Sequence, residues 1–119
     1  MLYLVLLVGD GAEKPWPEQT EEERTATMAR FGEFADACRA RDGVELLAGE
    51  ALSDPGDAAV VRTSAAGEVT VTEGPYAEAI EAMGGFYLVE APDRDVLVEL
   101  LRLLPRYDIQ VHPTVDVVL

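Results

Sequence analysis

Residues 71–91 read VTEGPYAEAIEAMGGFYLVEA, and the fold turns on how this stretch divides. Val71 and Glu73 close one alternating, strand-like run, and Gly85-Phe-Tyr-Leu-Val opens another. Between them, Pro75 has the backbone angle of a first helical position, and Gly74 takes the turn before it. The segment YAEAIEAM, residues 76–83, then suits two turns of helix, with Gly84 as its stop. Glu73 and Glu78 fall near the start of that short helix, where negative charge is favoured. The stretch therefore reads as a rigid crossover between two strands.

Toward the N-terminus, AAVVRTS and EVTVT flank a short AAG turn. They predict a β-hairpin over residues 58–72. VELLAGEAL, residues 44–52, reads as a strand, and SDPG after it as a turn. Before that strand lies a helix. Thr20-Glu21-Glu22-Glu23 fits a capping box, a hydroxyl acceptor at the N-cap with a glutamate three positions on. Met28, Phe31, Phe34, Ala35 and Cys38 recur at helical spacing and form one apolar face. Arg39 and Arg41 suit its C-terminal end, and Gly43 caps it. GDGAEKPWPEQ is a loop, in which Trp16 is expected to pack down as a lid on the domain edge. Residues 2–8 are continuously apolar, as in a strand at the middle of a sheet.

Toward the C-terminus, Asp93 is a good N-cap for a helix over 94–104, which Pro105 ends. Its apolar residues cover more than one face. DIQVHPTVDVVL, residues 108–119, is extended. The order is β-α-β, a β-hairpin, then β-α-β, all in one domain over residues 1–119. This is a ferredoxin-like α+β plan, an antiparallel sheet with two helices on one face and an extra β-hairpin. Two helices leave the other face of the sheet bare. A second copy of that face is the simplest cover, so a homodimer is expected.

The chain carries 23 acids against 9 bases, a formal net charge of −14. Such a charge repels a phosphate backbone and an anionic bilayer, so neither nucleic acid nor membrane is an expected partner. MLYLVLLVGD lacks the basic start and the cleavage site of a signal peptide. It reads as a first strand, and the protein as cytoplasmic. The lone cysteine, Cys38, cannot form an internal disulfide and reads as a small buried apolar residue.

Four stretches carry a family resemblance: MLYLVLLVGD, LAGEALSDP, VTEGPYAEAIEAMGGFYLVEA and LLPRYDIQVHPTVDVV. In this order the chain resembles the YCII-related proteins, and within them the subgroup named for an Asp-Gly-Pro-Phe motif. Glu73-Gly74-Pro75-Tyr76 stands where that motif has its four residues, with acid and aromatic kept in type. The resemblance implies a dimeric α/β barrel, two ferredoxin-like sheets packed face to face. It implies little about activity. Some relatives use a histidine early in the chain with an aspartate; the one histidine here is His112, so that pair is not carried over.

The candidate ligand-binding residues are Glu73, Pro75, Tyr76, Glu78 and His112. In a barrel the crossover lines the cleft beside the sheet. There Glu73 or Glu78 would act as a base, and Tyr76 would donate a hydrogen bond to a carbonyl or enolate. Histidine exchanges protons near neutral pH, and His112 would be the shuttle. Glu73, Tyr76 and His112 are thus the catalytic candidates. The bland alternatives weigh more: a structural crossover, and a strand histidine with a satisfied hydrogen bond. Arg62 and Arg106 are candidate anion clamps, or partners of surface acids. His112 with Glu50, Glu73 or Asp116 has no metal-ligand spacing. No Gly-rich phosphate loop or nucleophile elbow occurs. No metal and no cofactor is expected.

The expectation is a homodimeric small-molecule-binding or accessory protein. The alternative is a cofactor-independent lyase or isomerase with acid–base residues in the dimer cleft.

Overall fold

The apolar run at the start forms strand β1 (Leu2–Val8), and everything else is arranged around it. A computed structural model describes residues 1–9, 14–74, 83–117 and 119. The chain continues through α1 (Glu21–Ala40), β2 (Glu45–Ala51), β3 (Ala59–Thr63), β4 (Val69–Glu73), β5 (Met83–Glu90), α2 (Arg94–Leu101) and β6 (Asp108–Pro113). Four strands make one sheet in the order β2-β5-β1-β6, and each neighbouring pair is antiparallel. Strands β3 and β4 pair only with each other, as a separate two-stranded ribbon. The ferredoxin-like α+β plan is therefore present, with the extra hairpin set between β2 and β5.

The uninterrupted hydrophobicity of β1 is explained by its place between β5 and β6. Its side chains alternate between two faces. Tyr3, Val5 and Leu7 are buried toward the helices, while Leu2, Leu4, Leu6 and Val8 are only half-buried. The first set joins one core with Phe34 and Cys38 of α1, Val89 of β5, and Leu97, Leu100 and Leu101 of α2. Tyr87 packs on Phe34 with ring centroids 5.0 Å apart.

Both helix starts follow the local chemistry. The Thr20 hydroxyl accepts from Glu23 N, and the Glu23 carboxylate accepts from Thr20 N, a complete capping box. Those bonds, the backbone one first, hold the Glu23 carboxyl below the usual carboxylate value. The Asp93 carboxylate accepts from Val96 N. Helix α2 ends at Leu101, three residues before the expected end. Leu103 N and Leu104 N bond back to Leu100 O and Leu101 O, a tighter turn that closes the chain before Pro105.

Several expectations need correction. Met28 is 56% exposed, and the buried positions of α1 lie in its second half. A 20-residue helix is about 30 Å long, whereas a seven-residue strand spans about 24 Å. Strands of that length cannot cover the whole helix. Trp16 is not a lid; it is 47% exposed in a short 3-10 turn, Trp16–Glu18, with the Arg24 guanidinium 5.6 Å above its ring. Gly84 does not end a helix but lies inside β5. There a side chain would press on the Tyr107 ring, 3.3 Å from an added Cβ. The proposed helix over residues 76–83 lies outside the described residues up to 82, and Met83 is already strand.

Cys38 is buried, and burial pushes its thiol above the ordinary value. It is a packed core residue. No helix among the described residues is long and apolar enough to cross a membrane.

Candidate functional site

The strand register places the residues of the uncovered sheet face. Partners directly opposite in a ladder point to the same side, with Cβ atoms about 5 Å apart. Leu4 lies between Leu88 of β5 and His112 of β6, and Leu88 lies opposite Ala48 of β2. One step along, Leu6 lies between Phe86 and Gln110, and Phe86 lies opposite Glu50. The face thus has an apolar middle of Leu4, Leu6, Phe86 and Leu88, and polar groups at both edges. All four apolar residues are half-buried. Neither helix packs here, because the core uses the alternate side chains of the same strands.

On the β6 edge, Gln110 and His112 are two residues apart and so share this face. Gln110 Nε2 lies 3.3 Å from His112 Nδ1. With the amide donating, the neutral ring carries its proton on Nε2, and His112 is exposed. The hydrogen bond fixes one ring nitrogen and leaves the other edge of the imidazole for a ligand. β2 faces it across the sheet with Glu50, also exposed.

Glu73 closes β4 in the separate ribbon and is exposed. It therefore stands on a different sheet from His112, and among the described residues no hydrogen bond or ion pair joins the two. Its carboxylate is not withdrawn from water by burial. Gly74, next to it, has φ of 90°, a left-handed turn that glycine adopts without strain. Its N–H bonds to Ala58 O and closes the base of the ribbon. Pro75, Tyr76 and Glu78 lie outside the described residues. Among the described residues, no three His, Cys, Asp or Glu side chains gather as metal ligands.

Gln110 and the apolar row behind His112 escaped the sequence reading. The signal was present: DIQVHP alternates, so Gln110 and His112 had to share a side. What the sequence did not show was which strand lies beside them. Leu4, Leu6, Phe86 and Leu88 sit in runs apolar on both faces, where alternation cannot say which side is bare.

The chain matches the family model of the YCII-related domain over residues 1–118. No curated protein matches it. The family match spans β1 to β6, including both helices, the ribbon and the face that holds His112. By that match this chain belongs to the YCII-related domain family.

Proposed function

We propose that this protein is a homodimer that binds a small molecule in the cleft enclosed by two uncovered sheet faces. It belongs, on this reading, to the Asp-Gly-Pro-Phe subgroup and works in the cytoplasm. The observation that carries the proposal is the open face itself. A half-buried apolar middle edged by Gln110, His112 and Glu50 is what a second copy and a polar ligand would both require.

The area involved is consistent with this. Four strands about 4.8 Å apart and about 24 Å long give a flat footprint of roughly 450 Å². A stable interface buries about 800 Å² per partner, so flanking elements must contribute. Val115 and Val117 follow β6 directly, and Val61, Val69 and Val71 share one side of the ribbon. All five are exposed in the single chain. Val115 and Val117 extend exposed apolar surface beyond β6, and the three ribbon valines form a second exposed apolar strip.

An acid–base enzyme built on Glu73 and His112 would need the two within hydrogen-bond reach or one bridging water. Their placement on separate sheets gives that reading no specific support, and binding at the face uses His112 without Glu73.

The test has two parts. Sedimentation at micromolar concentration should give twice the monomer mass, and Leu88→Arg should give the monomer. A thermal-shift screen of carboxylated and aromatic metabolites and lactones should then find a stabilising ligand. At about a hundred times its dissociation constant it would add roughly 2.7 kcal/mol. That shift should disappear in His112→Ala. A monomeric wild type, or a ligand shift indifferent to His112→Ala, would overturn the reading.

A further inference from the structure

Among the described residues, the strands of the β3–β4 ribbon pair only with each other. A two-stranded hairpin alone is marginal in water and needs something packed against one face. The register says which face. Val61 lies opposite Val71, and Thr63 opposite Val69, so the three valines share one side. Each is more than 60% exposed in the single chain. The molecule measures 18 Å in its thinnest direction. A further layer on the sheet and its helices would add about 10 Å, so the ribbon extends beyond the sheet rather than over it.

A second apolar strip follows β6, where Val115 and Val117 are as exposed as the ribbon valines. The two strips stand at opposite corners of the sheet. The chain leaves for the ribbon at Ala51 and returns at Met83, and Ala51 lies level with Gly85, Leu7 and Ile109. The tail leaves at Pro113, level with Tyr3 and Val89, at the other end of the strands. β2 and β6 are the two edges of the sheet. A two-fold axis in the plane of the open face, perpendicular to the line joining these corners, therefore carries each ribbon onto the tail of the second copy. Both strips are covered at once, as a self-complementary interface requires. Charge favours the same meeting. Residues 58–72 hold one base, Arg62, and one acid, Glu68, so the net charge of −14 lies wholly outside the hairpin. A second acidic copy meets least repulsion there.

We infer that the ribbon is a dimerisation arm, whose Val61, Val69 and Val71 pack on Val115 and Val117 of the second copy. The inference rests on the proposed homodimer and names the contacts that complete it. The arm and the tail add a footprint of roughly 220 Å² per copy. That is more than half of what the open face lacks against the usual 800 Å² or so per partner.

The test uses the full chain. A dimer reassembled from labelled and unlabelled copies should show intermolecular methyl contacts by isotope-filtered NMR, from Val61, Val69 and Val71 to Val115 and Val117. Val61→Asn with Val71→Asn should weaken the dimer at least tenfold in sedimentation equilibrium, and so should Val115→Asn with Val117→Asn. Thr72→Asn, on the other side of the ribbon, should leave the dissociation constant unchanged. A wild type that dimerises and is broken by Leu88→Arg, but shows no ribbon-to-tail contacts, would overturn the arm and leave the proposed homodimer standing. So would a dimer indifferent to both valine pairs, or valine methyls that contact only their own chain. A monomeric wild type would overturn both.

Discussion

Gly85 is opposite Leu7 on one side and Ala51 on the other. A Cβ built there would stand 2.8 Å from Glu50 O. That obstacle is main chain, so the strands themselves would have to move. Overpacking of this kind costs about 1–3 kcal/mol, and for a domain of this size that is a loss of about 4 °C per kcal/mol. Gly85→Ala should therefore lower the melting temperature by several degrees. Gly56→Ala is the comparison, because nothing lies within 4 Å of its added Cβ and its backbone is not left-handed. It should leave the melting temperature unchanged or slightly raised. If both variants melt together, the close approach of β2 to β5 at Gly85 does not constrain the sheet. The pair Gly84-Gly85 also shows where sequence reasoning stops. Glycine announces a need for space or for unusual dihedrals, but not which. Here Gly84 and Gly85 make room for the Tyr107 ring and for the β2 backbone, and neither neighbour is near in sequence.

Among the elements, α1 was read best at its start and worst at its middle. The capping box depends only on residues three apart, so Thr20 and Glu23 were enough to specify it. The burial of Met28 depended on how far the sheet extends, which no local pattern encodes. The same division holds for the candidate site. Alternation placed His112 on a strand, and the hairpin placed Glu73 beside Gly74. Their separation onto two sheets is a property of strand order, and strand order is not local. The cap makes a testable case. Thr20→Ala should destabilise the protein by about 1 kcal/mol, the usual cost of losing such a cap. Glu23 adds a pH dependence with a definite sign. Its carboxyl titrates below the ordinary value in the folded chain, through the Thr20 bonds and Lys14. Its contribution is present above the ordinary carboxylate range and is lost as pH falls through the lowered folded value. Urea denaturation of wild type and Glu23→Gln from pH 7 to pH 3 checks this. Wild type should be the more stable at pH 7, and the gap should close in acid. A gap constant with pH would mean that the carboxylate charge plays no part in the cap.

At the scale of the whole molecule, charge and apolar surface act against each other. Two copies at −14 each repel at neutral pH, yet the uncovered middle of the sheet, Leu4, Leu6, Phe86 and Leu88, favours association. The margins do not offset the repulsion, because Glu45 and Glu50 of β2 lie along one edge of the same face. An interface driven by apolar burial and opposed by net charge has a characteristic salt dependence. Raising ionic strength from 0.01 M to 0.15 M shortens the screening length from about 30 Å to about 8 Å. Repulsion between the two copies falls, while the burial of leucine and phenylalanine is little changed. The proposed dimer should therefore tighten as salt is added, and sedimentation equilibrium across that range should give a falling dissociation constant. Lowering the pH from 7 toward 5 should act in the same direction as carboxylates begin to protonate. Leu4→Arg should abolish the dimer at every salt concentration, because the added charge would sit against its symmetry mate in the apolar middle. A dissociation constant that rises with salt would point instead to contacts made by ion pairs. In that case charged side chains, and not the leucine and phenylalanine row, would hold the second copy.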